Sequence, residues 1–299
     1  MRVFIGVPAT VANLGPGFDI LALALHLQND VHVEQTDGDE LTIDAGEGTP
    51  AELGDARRNL VTRAYAHTCE ALGRPSGGVH FRCVNRIPIA RGIGSSAAAT
   101  LAGALAAVSL HRAPWSEEVI LDTVSTIEGH RDNAAAALLG GLAICVPGAR
   151  TVRMDVPDEL HAVLFLPDAR LHTEQSRRVV PQVFSREDAI FNAARCALLV
   201  RCLATRDYAG LGDAMDDRWH QPARTALVPS LPRLIAAAKD AGAAGAALAG
   251  GGPSVLALTA LDPAPIEAAL LSEATAAQIP GRTLVAQVRN WGTRVDLRQ

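Results

Sequence analysis

The stretch Pro88-Ile89-Ala90-Arg91-Gly92-Ile93-Gly94-Ser95-Ser96-Ala97-Ala98-Ala99 constrains this chain most, because glycines and hydroxyls there join a strand-like run to a long alanine-rich helix. Upstream, Val79 to Val84 alternates as a half-buried strand does, and downstream Thr100 to Leu110 has the alanine and leucine content of a strong helix former. The backbone between them must turn sharply. Gly92 and Gly94 permit positive φ and close approach of a ligand, while Ser95 and Ser96 open the helix where free N–H groups and the positive dipole end favour an anion. The segment reads as a cradle for a nucleotide phosphate, although a glycine-serine start also caps ordinary helices. A branched side chain at Gly94 is expected to block the phosphate and leave the fold intact.

A Walker-type or protein-kinase-type site is excluded, since both place a lysine on the phosphates and the only lysine here is Lys239, far from any such glycine loop. With a net charge of −5 and no basic stripe, nothing points to nucleic acid, and small molecules are the expected partners. The five cysteines, Cys69, Cys83, Cys145, Cys196 and Cys202, match no zinc, haem or redox spacing, so free thiols in a reducing cytoplasm are expected. No secretory signal is read at the N-terminus, where Asn13 and Asp19 interrupt the apolar run early. Two long uncharged stretches, Gly92 to Leu110 and Ala241 to Leu261, contain Gly-Ile-Gly-Ser-Ser and Gly-Gly-Gly-Pro, so neither would face lipid and no membrane contact is expected.

Taken in order, strands are expected at Arg2 to Ala9, Leu21 to Leu27, Val31 to Glu34 and Leu41 to Ala45, with Pro8 to Asp19 forming a loop between the first two. A helix runs from Asn59 to Gly73, and another, capped by Ser116, leads to the polar cluster Glu128 to Asn133. Leu142 to Val146 is a buried strand. Pro147 to Asp158 holds three turn signals and no hydrophobic periodicity, which divides the chain into 1–154 and 155–299. In the second part, strands are expected at Ala162 to Leu166, Ala246 to Leu248, Val255 to Leu258 and Thr283 to Val288. Helices are expected near Asp188 to Ala204, Tyr208 to Met215, Leu231 to Ala241 and Pro265 to Ala277. Strands and helices alternate without a repeat, so both halves read as α+β.

Three segments, Pro8 to Asp19, Pro88 to Ala99 and Leu248 to Ser254, resemble in order and separation the three motifs of the GHMP small-molecule kinases. Within that superfamily, Asn13 to Asp19 and Glu128 to Asn133 resemble the homoserine kinases. The resemblance implies an α+β fold of two domains, the first like a ribosomal protein and the second ferredoxin-like, with the active site in the cleft between them. It also implies a left-handed βαβ crossover, against the usual hand. The implied reaction moves the γ-phosphate of ATP, with Mg²⁺, to the side-chain hydroxyl of L-homoserine, on the way to threonine. A homodimer is implied as well.

By the same resemblance, Pro88, Ala90, Arg91, Gly92, Ile93, Gly94, Ser95 and Ser96 would hold the nucleotide, with Asn59 near its base and ribose or else a plain helix cap. Ser96 would also reach Mg²⁺, and a carboxylate would complete the metal site: Glu128 first, Asp122 as its rival. Asn13 and Asp19 would hold the amino-acid end and the hydroxyl, with Asp19 a partner for the ammonium, and His130 and Asn133 would line the hydroxyl side. Asn133 stands where mevalonate-type relatives carry a basic aspartate. An amide cannot accept the proton, so it passes to phosphate oxygens or Asp132 serves less directly. Arg177 and Arg224 match two arginines for the substrate carboxylate, and Phe18 is expected in the core. Arg131, Ala223, Ala249 and Gly251 depart from the family pattern, the last two removing hydroxyls and leaving only backbone donors in the third motif.

Overall fold

Small and branched apolar residues carry the opening strand further than its turn residues suggest. In the computed structural model, which describes residues 1–46 and 49–298, β1 spans Arg2–Asn13 and β2 spans Gly17–Gln35. Only Leu14, Gly15 and Pro16 remain as a turn, so most of the expected loop Pro8 to Asp19 is strand, and the two strands expected across residues 21–34 are one. Pairing with β2 supplies the backbone partners that a loop would lack, and the register slips twice, between Pro8 and Ala9, where the proline offers no N–H, and between Ala12 and Asn13.

The first half continues through β3 (Leu41–Asp44), α1 (Leu60–Ala71), β4 (Val79–Val84), α2 (Ser95–Leu110), α3 (Glu117–Glu128), α4 (Asp132–Leu139), β5 (Leu142–Cys145) and β6 (Thr151–Met154). β6 lies inside the expected boundary. Its four residues pair antiparallel with β5 and none is buried, so no apolar alternation marks them. The second half holds β7 (His161–Pro167), α5 (Thr173–Arg178), α6 (Arg186–Thr205), α7 (Leu211–Ala214), α8 (His220–Arg224), α9 (Leu231–Asp240), β8 (Gly245–Leu248), β9 (Val255–Thr259), α10 (Ala264–Ala276) and β10 (Gly281–Gln287), and the chain ends in β11 (Arg294–Arg298). The helix expected over residues 208–215 is a 3₁₀ turn at Tyr208–Gly210 followed by the single turn of α7.

Two sheets result. One has the order β11-β1-β2-β4-β3, with β5 and β6 extending from β2; the other, β10-β7-β9-β8, is antiparallel throughout. β3 and β4 are parallel neighbours with α1 in the connection between them. β11 returns to pair with β1, Arg2 opposite Arg298, so residues 294–298, expected with the second unit, complete the first sheet. The helix α2 is buried nearly all round, and its small side chains let α1 approach until a Cβ on Gly103 would lie 2.0 Å from the Val61 carbonyl oxygen. The five cysteines are free thiols, and among the described residues no helix is long and apolar enough to cross a membrane.

Candidate active site

The three motif segments meet at the N-terminus of α2. The Thr10 N–H donates to the Ile93 carbonyl at 3.3 Å, the Gly250 N–H donates to Ala12 at 3.2 Å, and the Asn13 amide donates to the Gly250 carbonyl at 2.9 Å. Gly92 (φ 73°) and Gly94 (φ 75°) adopt the expected left-handed geometry, and Gly94 caps α2. A Cβ at Gly92 would fall 2.2 Å from the Ala249 carbonyl oxygen, and one at Gly94 would fall 2.1 Å from the Thr10 hydroxyl. The other two motifs therefore crowd both positions. Substitution at Gly94 would disturb β1 itself, contrary to the expectation of an intact fold.

Ala90, Arg91, Gly92, Gly94, Ser95 and Ser96 line the cleft, whereas Pro88, Ile93 and Asn59 do not. Ile93 is buried in the core, while Arg91 donates to the Asp168 carbonyl at 2.6 Å and so ties the loop to the second sheet's connection. Asn59 caps α1: its Oδ1 accepts from the Val61 N–H at 2.9 Å and its Nδ2 donates to the Leu53 carbonyl at 2.7 Å. Both ends of its amide are used.

Gly129, at φ 77°, ends α3 and leaves Glu128 at the cleft wall. The Ser96 hydroxyl lies 2.8 and 2.7 Å from the two Glu128 oxygens, and the Thr100 hydroxyl donates to Oε1 at 2.5 Å. Thr100 was legible as a partner only through its spacing of four from Ser96, which puts both hydroxyls on one face of α2. Asp122 is exposed and pairs instead with Arg131, which also holds Glu118. Of these two carboxylates, Glu128 lines the cleft and Asp122 does not.

Asp132 begins α4 almost fully buried, and its Oδ1 accepts from His130 Nδ1 at 2.9 Å and from the Asn133 N–H at 2.7 Å. Burial disfavours a charged His130, but the hydrogen bond and charge of Asp132 outweigh it and raise the imidazole pKa above its ordinary value. Asn133 accepts at Oδ1 from the Thr10 hydroxyl at 2.8 Å.

Opposite these groups, Arg177 of α5 forks onto both oxygens of Asp19, with Nη1 to Oδ2 at 3.0 Å. Arg224 is only 2% exposed; Nε donates to Ser176 at 3.2 Å, and Nη1 donates to Gly250 at 3.2 Å and to His220 Nδ1 at 2.8 Å. Burial, then the nearby Arg177 charge, pulls its pKa down to about 10. An arginine only donates, so His220 accepts at Nδ1 and carries its proton on Nε2, which donates to the Gly15 carbonyl at 2.7 Å. His220, a residue sequence reasoning missed, thus links α8 to the first motif. Phe18 is not core: it walls the cleft, with the guanidinium carbons of Arg177 and Arg224 5.4 and 5.2 Å from its ring centre and Trp219 edge-on behind it.

One cleft between the two sheets thus holds a glycine-serine helix start, a carboxylate with two hydroxyls, and an acid beside two arginines. Family profiles described as "GHMP kinases N terminal domain" and "GHMP kinases C terminal" match residues 59–141 and 199–277. The chain belongs to the GHMP kinases. Among curated relatives of this GHMP kinase, a homoserine kinase of Synechococcus is 38% identical over 99% of this chain and 98% of its own. One from Desulfitobacterium hafniense is 42% identical over 86% of each. The crystal structure of homoserine kinase from Cytophaga hutchinsonii superposes with a TM-score of 0.86 at 29% identity, covering 99% of this chain and 97% of that one. The two-domain α+β architecture is the GHMP kinase fold.

Proposed function

We propose that the protein transfers the γ-phosphoryl group of ATP to the side-chain hydroxyl of L-homoserine, giving O-phospho-L-homoserine for threonine biosynthesis. The observation that carries this reading is the set Asp19, Arg177 and Arg224 in one cleft with the phosphate loop. An acid and two guanidiniums match the ammonium and carboxylate of a zwitterionic alcohol, and would suit a neutral or purely anionic one poorly. The name carried by the full-length relatives agrees.

In this reading, the α2 N-terminus, with Gly92, Gly94 and Ser95, receives the phosphates. Asn13 and Asp19 hold the amino-acid end while the arginines take the carboxylate. Glu128 and Ser96 are hard oxygen ligands that fit Mg²⁺, and Thr100 braces the carboxylate. When bound, Mg²⁺ supplies charge neutralisation on the phosphates. The homoserine oxygen bonds to the γ-phosphorus as the bond to the bridging oxygen breaks onto ADP, and the hydroxyl proton leaves for a phosphoryl oxygen. The same reading makes the protein a cytoplasmic homodimer, which light scattering on the purified chain tests for its oligomeric part.

ADP release from the purified protein, measured against a panel of amino-acid and isoprenoid alcohols, tests the assignment. Homoserine should have the highest kcat/KM. Turnover of mevalonate in preference to homoserine would overturn it.

A further inference from the structure

The reacting hydroxyl must find its partners among the polar groups at the start of α4, and two of these are already committed. Asp132 is 2% exposed, with its Oδ1 shared between His130 and the Asn133 backbone. The side-chain oxygen of Asn133 accepts from Thr10 Oγ1 at 2.8 Å. Thr10 is fully buried in β1, its N–H donates to Ile93, and a Cβ on Gly94 would lie 2.1 Å from its hydroxyl oxygen. The hydroxyl is therefore wedged between the phosphate loop and Asn133.

That placement fixes which way the carboxamide faces. The Thr10 hydroxyl has one proton and no other acceptor among the described residues, so the reverse orientation, with Asn133 Nδ2 toward Thr10, would leave a buried hydroxyl proton unpaired. With Oδ1 turned to β1, Nδ2 is the end left without a protein partner among the described residues, and Asn133 is a wall of the cleft.

We propose that Thr10 is a positioning residue which turns Asn133 to donate its amide hydrogens to the acceptor oxygen and the transferring phosphoryl group. The proposal rests on the kinase reading above. Asn133 then takes no proton; it holds the nucleophile in line and offsets charge that grows in the transition state. The function of the threonine is to keep an otherwise symmetrical-looking amide from presenting its oxygen to an anion.

The test pairs Thr10→Val, which keeps the shape and removes the hydroxyl, with Thr10→Ser, Asn133→Ala, Asn133→Asp and the double variant Thr10→Val/Asn133→Ala. Thr10→Val should lower kcat about tenfold with little change in KM for either substrate, and Thr10→Ser should stay within about twofold of wild type. In the Asn133→Ala background Thr10→Val should cost nothing further, because no amide remains to be turned. Asn133→Asp should be no more active than Asn133→Ala, since it places an anion against phosphate. Wild-type kcat in Thr10→Val, an equal loss in both backgrounds, or wild-type activity in Asn133→Asp would each overturn the proposal. Should Thr10→Val fail to fold, the Asn133 variants decide the orientation alone. The comparisons are ratios on whichever alcohol the wild type phosphorylates, so failure with homoserine counts against the earlier reading and not against this one.

Discussion

His220 couples the stability of this protein to pH through a buried neutral imidazole. It is fully buried, accepts from Arg224 at Nδ1 and donates to Gly15 from Nε2, so a second ring proton would face the Arg224 guanidinium at 2.8 Å. Burial, aided by the Arg224 charge and opposed by Asp217, lowers its pKa from 6.5 to about 4. A pKa lowered on folding means that the unfolded chain binds the proton more readily, so stability is complete above about pH 6.5 and declines as pH falls toward 4. From those two values, moving from pH 7.5 to pH 5 should remove about 2 kcal/mol, or about 3 °C in Tm for a chain of this length. Thermal unfolding of wild type and His220→Gln across that range isolates the contribution, because the other titrating groups are common to both. The Gln variant should be less stable at pH 7.5 and lose about 2 kcal/mol less on acidification. Parallel pH profiles for the two proteins would refute the neutral, buried assignment of His220.

Glu128→Gln should weaken Mg²⁺ binding, read as the metal concentration that half-saturates nucleotide binding, by at least about tenfold, whereas Asp122→Asn should leave it unchanged because Asp122 pairs with Arg131 outside the cleft. Arg177→Lys keeps the charge but loses the planar fork that, in the proposed reading, meets the homoserine carboxylate and here holds both oxygens of Asp19, so kcat/KM for homoserine should fall about 30-fold, or about 2 kcal/mol, with ATP affinity nearly unchanged; wild-type kinetics would remove Arg177 from the substrate site. Gly92→Ala puts a methyl against the Ala249 carbonyl and imposes left-handed strain on the order of 1–2 kcal/mol, so calorimetric titration should show weakened ATP binding together with a lower Tm.

Much of the local architecture was legible without coordinates. The left-handed glycines ahead of α2, the helix start at Ser95, the Asn59 and Ser116 caps and the buried strands at residues 142–145, 162–166 and 255–258 depend on neighbours a few positions away, where propensity and periodicity operate. The family motifs were readable for the same reason, being contiguous. Exposed or short pieces without a pattern, such as β6 and α8, were not.

What tertiary structure alone decided is which distant groups meet. β11 could join the first sheet only because β1 offered an unpaired edge some 290 positions earlier in the chain, a match that no local window contains. Glu128 and Asp122 sit on one helix with the same chemistry, and only packing against α2 turns the first toward Ser96 and Thr100 while Arg131 draws the second outward. Phe18 has the composition of a core residue, yet its ring lies under two arginines because α5 and α8 bring them there. Thr10, an unremarked residue of the opening strand, gains its role from Asn133, 123 positions away. Sequence determines which side chains can cap, turn and alternate; the orientation of a buried polar group depends on every donor and acceptor around it, and those are assembled only when the sheets and helices close on one another.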